Sequence, residues 1–123
     1  LLRHPWAAQQ ITSRVCMGPA MLTYLDATIG CLVEAGFSYA EADHVWNAID
    51  SHIYGFTFQQ LNFPFQESEY AAAAEEHMPQ VAQDDFPYFS GLAQAVIEGT
   101  HDGVNDFSFG LEILLDGLAR RLN

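Results

Sequence analysis

Apolar residues recur along most of this chain at intervals of three and four, the spacing that lines up one face of an α-helix. Residues 4–14, HPWAAQQITSR, predict a short helix with Pro5 tolerated in its first turn. Gly18 and Pro19 mark a fresh start, after which Met21, Leu22, Leu25, Ile29, Leu32 and Val33 predict a second helix to about Ala35. Gly36 suits its end, because glycine takes the left-handed conformation at low cost. Ser38 and Glu41 then read as a capping box, each side chain satisfying an amide at the other's position.

The helix predicted over 38–62 has two apolar arcs. Ala42, Val45, Trp46, Ile49, Ile53, Phe56 and Gln60 fall on one side, while Tyr54, Phe58 and Leu61 broaden the apolar surface beyond it. Both must be covered, and a small monomer has few ways to do so. Pro64 limits the helix. Residues 65–85 are acidic and irregular, and read as a loop carrying one or two helical turns, a candidate mobile cover. Pro87 opens a helix to about Glu98, with Phe89, Leu92, Ala93, Val96 and Ile97 expected inward, and THDG at 100–103 is a turn. Asn105 or Asp106 caps a last helix bearing Phe107, Leu111, Leu114, Leu118 and Leu122. Gly110 and Gly117 lie seven apart on nearly one face of it. Their cost, about 1 kcal/mol each relative to alanine, suggests close approach by another helix. The expectation is an all-α domain.

Length and charge narrow the function. A chain of 123 residues makes one domain. Half of its residues are hydrophobic, which argues against general disorder. Sixteen Asp and Glu against four Lys and Arg give a net charge of -12. A phosphate backbone is repelled by such a chain, so it is not expected to bind nucleic acid by itself. Cys16 and Cys31 are too few for a disulfide framework or a zinc site; a reducing compartment is the simple expectation, with a disulfide between them left open. No apolar run is long enough to span a bilayer, no signal peptide is evident, and the opening LLRHPWAAQQ looks like part of a longer protein.

Enzyme chemistry has little support. His4, His44, His52, His77 and His101 supply imidazoles, but HExxH, CxxC and glycine-rich phosphate loops are absent. His101, Asp102 and Asp106 could approach a metal, although capping accounts more economically for Asp106. No nucleophile, base and orienting group fall together. The chain is expected to be no enzyme and to carry no cofactor or metal.

Two stretches resemble the C-terminal domain of the TetR family of transcriptional regulators. EAGFSYAEADHVWNAIDSHIYGF at 34–56 is similar to the family's capped long helix, and FSFGLEILLDGLARRL at 107–122 to its last helix with a phenylalanine–glycine–leucine signature. LLRHPWAAQQ is also typical of close relatives. The resemblance implies residues 1–123 are the regulatory half of a cytoplasmic repressor, an N-terminal helix-turn-helix domain being absent from this chain. It implies a homodimer through a four-helix bundle of 38–62 and 105–122, with Tyr54, Phe58, Leu61, Gly110, Ile113, Leu114, Gly117 and Arg121 at the interface. Operator DNA would be a partner only through the missing domain; a membrane is not expected as one.

The resemblance also implies an effector cavity between the early helices, the long helix and the 86–98 helix. Its lining here would be Trp6, Gln10, Ser13, Arg14, Met17, Tyr24, Leu25, Thr28, Trp46, Ile49, Asp50, Phe89 and Val96. Aromatic and methionine walls with a few polar groups suit a cavity, while plain core packing is an equal reading for Leu25, Trp46 and Ile49. Arg14 either pairs with an acidic effector group or stays solvated. Asp50, if inward, needs a partner to offset desolvation; otherwise it is a surface group. Tetracycline-responsive relatives hold drug-bound magnesium through a histidine and an acidic residue at positions that match Gln10 and Gln59 here. The expected effector is therefore an unidentified, partly aromatic organic molecule rather than magnesium–tetracycline. A dimerisation module whose cavity is filled by its own side chains is the alternative.

Overall fold

The computed structural model describes residues 1–12, 18–81 and 84–122. Six α-helices and no strand occur among the described residues. They are α1 (Pro5–Thr12), α2 (Pro19–Glu34), α3 (Tyr39–Asn62), α4 (Tyr70–His77), α5 (Pro87–Ile97) and α6 (Phe107–Arg121). The chain divides into two compact units, Leu1–Asn62 with Asp106–Asn123, and Phe63–Asn105.

In the first unit local sequence signals set the boundaries of α2 and the starts of α3 and α6. Pro19 stands at the start of α2, where its missing amide hydrogen costs nothing. At the other end Gly36 takes φ 116°, its amide donates to the Val33 carbonyl at 3.0 Å, and the Phe37 amide reaches back to Leu32 at 3.2 Å. This pair of hydrogen bonds is a Schellman stop, and it turns Phe37 into the core. The capping box forms as expected. The Ser38 amide donates to Glu41 Oε2 at 3.0 Å, and the Glu41 amide to Ser38 Oγ at 3.3 Å. Asp106 caps α6, accepting from the amides of Ser108 at 2.8 Å and Phe109 at 3.3 Å.

Phe37, Ala42 and Val45 form the buried centre of this unit, with Ile29, Leu32, Val33, Ile49 and Leu118 packed around them. α3, with 24 residues, is about 36 Å long at 1.5 Å per residue. α6 lies antiparallel along it. Leu118 meets the core at the start of α3, while Phe107, at the start of α6, stacks on His52 at 4.8 Å and meets Phe56 edge-on at 5.2 Å. The core is small, and among the described residues no large side chain is fully buried.

The second unit is an α4–α5 pair. Residues 65–85 carry α4 flanked by single 3-10 turns at Glu67–Glu69 and Met78–Gln80, close to the helical turns expected there. α5 stops by the same device as α2: Gly99 takes φ 72°, its amide donates to Val96 at 3.1 Å, and that of Thr100 to Ala95 at 3.0 Å. One expectation fails. Phe89 and Leu92 are not inward; each remains more than half exposed, because α4 is too short and alanine-rich to cover them. Ala93 is buried, and Val96 and Ile97 are partly so.

Candidate functional site

Trp46, Asp50 and Tyr54 recur every fourth residue of α3, along one flank of its buried stripe. The Trp46 indole Nε1 is shielded from solvent and has no hydrogen-bond partner among the described residues. Such a donor costs about 1–3 kcal/mol unless something satisfies it. One turn on, partial burial raises the Asp50 carboxyl above its ordinary value of 3.8. Burial also raises the Tyr54 phenol, and the charges of Asp50 and then Tyr24 push it further. α2 thus brings Tyr24 to the same group. An indole donor, a carboxylate and two phenols can hold a polar organic ligand from several sides.

The remaining residues expected at a pocket are distributed as follows. Thr28 donates its hydroxyl to the Tyr24 carbonyl at 2.8 Å, within its own helix. Ile49 is partly buried and packs against the core. Leu25 is partly buried and Gln10 exposed. Trp6 is 67% exposed and lies beside the His4 ring at 6.1 Å. Ser13, Arg14 and Met17 lie outside the described residues. Phe89 and Val96 belong to the second unit, where they line a cleft with its own residues.

The face of α3 opposite the core is a second feature. His44, Ala48, Ser51, Gly55 and Phe58 follow one another at intervals of four and three, and all are exposed. That 3.5-residue period is the seam spacing of packed helices. Phe58 is 68% exposed, and on α6 Phe109 and Ile113 are 65% and 58% exposed. Leu61 is exposed as well, as is Arg121. Leu114 is partly buried with Leu111 and Leu118, on the side of α6 that meets α3. The two glycines differ. A side chain at Gly110 would strike the His52 ring of the same chain at 2.5 Å, whereas one at Gly117 would meet nothing within 4 Å. Close approach at Gly110 is therefore made by the chain's own α3.

The cleft of the second unit has a volume of about 220 Å³ and is walled by Phe63, Phe65, Tyr70, Ala73, Ala74, Phe89, Leu92, Ala93, Val96, His101 and Gly103. His101 Nδ1 stands 3.6 Å from Asp102 Oδ1. No group of three or more His, Cys, Asp or Glu suited to a metal occurs among the described residues.

A family model for the tetracyclin repressor-like, C-terminal domain matches residues 1–122. The chain belongs to this family. Tetracyclin repressor-like C-terminal domains are regulatory rather than catalytic, with effector sensing and dimerisation as their typical roles, and their proteins are typically cytoplasmic. Comparison with curated proteins and with solved structures gives no match. Sequence reasoning overlooked Gly55 and Phe109 on the exposed faces. Counting from Phe58 toward the start of α3 in alternating steps of three and four residues would have found Gly55. Also overlooked were Phe63, just before Pro64, and Phe65 and Tyr70, aromatic residues in the 65–85 stretch read as a loop with helical turns.

Proposed function

We propose that this chain is the effector-sensing, homodimerising half of a transcriptional repressor, and that operator DNA is contacted only through a helix-turn-helix domain N-terminal to it. The observation that carries this reading is the unpaired seam of α3 together with the exposed Phe109 and Ile113 of α6. Phe58, Phe109 and Ile113 are large apolar side chains left exposed, and such surface favours burial against a second copy. A four-helix arrangement of two α3–α6 pairs would cover them. The net charge of -12 supports leaving the DNA to another domain.

A small organic effector binds at the Trp46, Asp50, Tyr54 and Tyr24 group. A ligand that accepts from the indole and donates to Asp50 relieves two desolvation costs at once. If it fits one conformation of the dimer better, it shifts the population toward that form and away from the spacing that matches two half-sites. α1 stands nearest the missing domain in sequence and touches α3, which makes it the mechanical link. The test uses Trp6→Phe, which leaves Trp46 as the sole tryptophan. Titrating this variant with a library of neutral and charged aromatic compounds should yield a ligand that shifts Trp46 emission. Its affinity should fall at least tenfold in Asp50→Asn or Tyr24→Ala. Ligands whose binding ignores both substitutions would refute this site.

A further inference from the structure

We infer that the cleft between α4 and α5 is a binding site of its own, for a small neutral two-ring aromatic molecule bearing one hydroxyl group. It lies wholly within residues 63–105 and uses none of the residues of the α2–α3 group.

Size and wall chemistry set the class of ligand. A dry apolar cavity of about 150 Å³ takes up benzene, so the cleft's volume of about 220 Å³ suits two fused rings. Drug-sized ligands, which need about 300 Å³ or more, exceed it. The walls are nearly all aromatic or aliphatic, with no Lys, Arg, Asp or Glu among them. These walls offer no opposite charge to pair with a charged ligand. The aromatic wall is braced: Phe63 meets Tyr70 edge-on at 5.2 Å and Phe65 at 6.0 Å.

The polar specificity comes from His101, which sits on a fixed turn. The His101 amide donates to the Ala95 carbonyl at 3.1 Å, and Asp102 Oδ1 accepts the Val104 amide at 2.9 Å. Gly103, at φ 76°, lets the chain close on Tyr70, whose ring would lie 3.0 Å from any side-chain carbon at that position. His101 Nδ1 stands 3.6 Å from Asp102 Oδ1, and an imidazole nitrogen in either neutral tautomer can pair with a hydroxyl group, which both donates and accepts.

The probe is 2-naphthol, added to the intact chain and followed by methyl-resolved NMR. The expected result is saturable shifts at Ala73, Ala74, Leu92 and Val96. Naphthalene should bind about two- to tenfold more weakly, the worth of one hydrogen bond, and His101→Phe should erase that difference. Ala74→Phe, which fills the cleft, should weaken both probes at least tenfold. If that variant folds poorly, Overhauser contacts from the naphthol ring to Phe63 and Phe89 in the unaltered chain locate the probe instead. Absence of shifts up to solubility overturns the inference, as do shifts confined to Leu25 and Ile49. Binding that appears only in a monomeric Phe58→Glu variant also overturns it, because a second copy would then be the occupant of the cleft.

Discussion

Gly110→Ala should destabilise this domain, although alanine is the better helix former. The helical gain is about 1 kcal/mol. Against it, the new methyl carbon would lie 2.5 Å from His52 Cε1, 3.1 Å from Nε2 and 3.3 Å from Nδ1. Those separations are well inside ordinary contact, which begins near 3.5 Å for carbon. The ring has little room to retreat. Its Nε2 is hydrogen-bonded to the Phe107 carbonyl at 3.0 Å, and its face is stacked on the Phe107 ring at 4.8 Å. Phe107 is in turn braced by Phe56. Overpacking of this kind costs about 1–3 kcal/mol, and the strained hydrogen bond about 0.5–1.5 kcal/mol more if lost. Once the helical gain is subtracted, the net expectation is a loss of about 0–2 kcal/mol with the hydrogen bond kept and about 0.5–3.5 kcal/mol with it lost.

Urea denaturation at fixed protein concentration measures this, and a double-mutant cycle assigns the cause. In a His52→Ala background the space is empty, so Gly110→Ala should become neutral or stabilising by up to about 1 kcal/mol. Gly110→Ala stabilising the unaltered chain would refute the reasoning. So would an equal loss with and without His52, since the ring would then not be what the methyl group meets.

Other substitutions separate the remaining contacts. Gly117→Ala meets no neighbour in its own chain, so weaker self-association by sedimentation equilibrium would place it in the dimer contact, and unchanged association would remove it. Asp106→Ala removes the carboxylate oxygen that accepts from two amides at the start of α6 and should cost about 1 kcal/mol in urea melts; no change would mean that the cap contributes nothing. Asp50→Asn should flatten part of the pH dependence of stability. A carboxyl raised by burial above 3.8 favours the folded state in acid, and that contribution is lost as pH rises through its folded value. The difference in urea midpoint between Asp50→Asn and the unaltered chain should therefore grow from pH 4 toward pH 7, and a constant difference would contradict the burial. Glu41 has the opposite sign. Ser38's side-chain and then backbone hydrogen bonds hold it below 4.5, with the charge of Arg121 adding to them. Ser38→Ala should raise its midpoint in a carbon NMR titration, and an unmoved midpoint would deny the capping box.

The helices were legible because their signals are local. Ser38 and Glu41, Gly36, Pro19, Pro87 and Asp106 act on neighbours within five residues, so reading them needs no knowledge of packing. The partners of each helix were less legible. A glycine such as Gly110 reports only that something comes close, and within its own chain that neighbour is His52, 58 positions earlier. Tyr54 stands beyond the main stripe in the sequence, and in the structure its phenol is grouped with Asp50 and Tyr24. The cleft escaped notice because Phe63, Phe65 and Tyr70 precede or open a helix of only 8 residues, too short for periodicity to reveal a face. Phe89 and Val96, expected at an effector pocket, are among the residues that line this cleft.

Native mass spectrometry of this chain and of its Phe58→Glu, Ile113→Glu variant tests the central claim, pairing through α3 and α6, most directly. The unaltered chain should appear at twice 13.7 kDa, and the variant, with a charge on each exposed helix face, at the single-chain mass with its helical circular dichroism retained. A chain that is monomeric at micromolar concentration, or a doubly substituted chain that remains a dimer, would contradict the account.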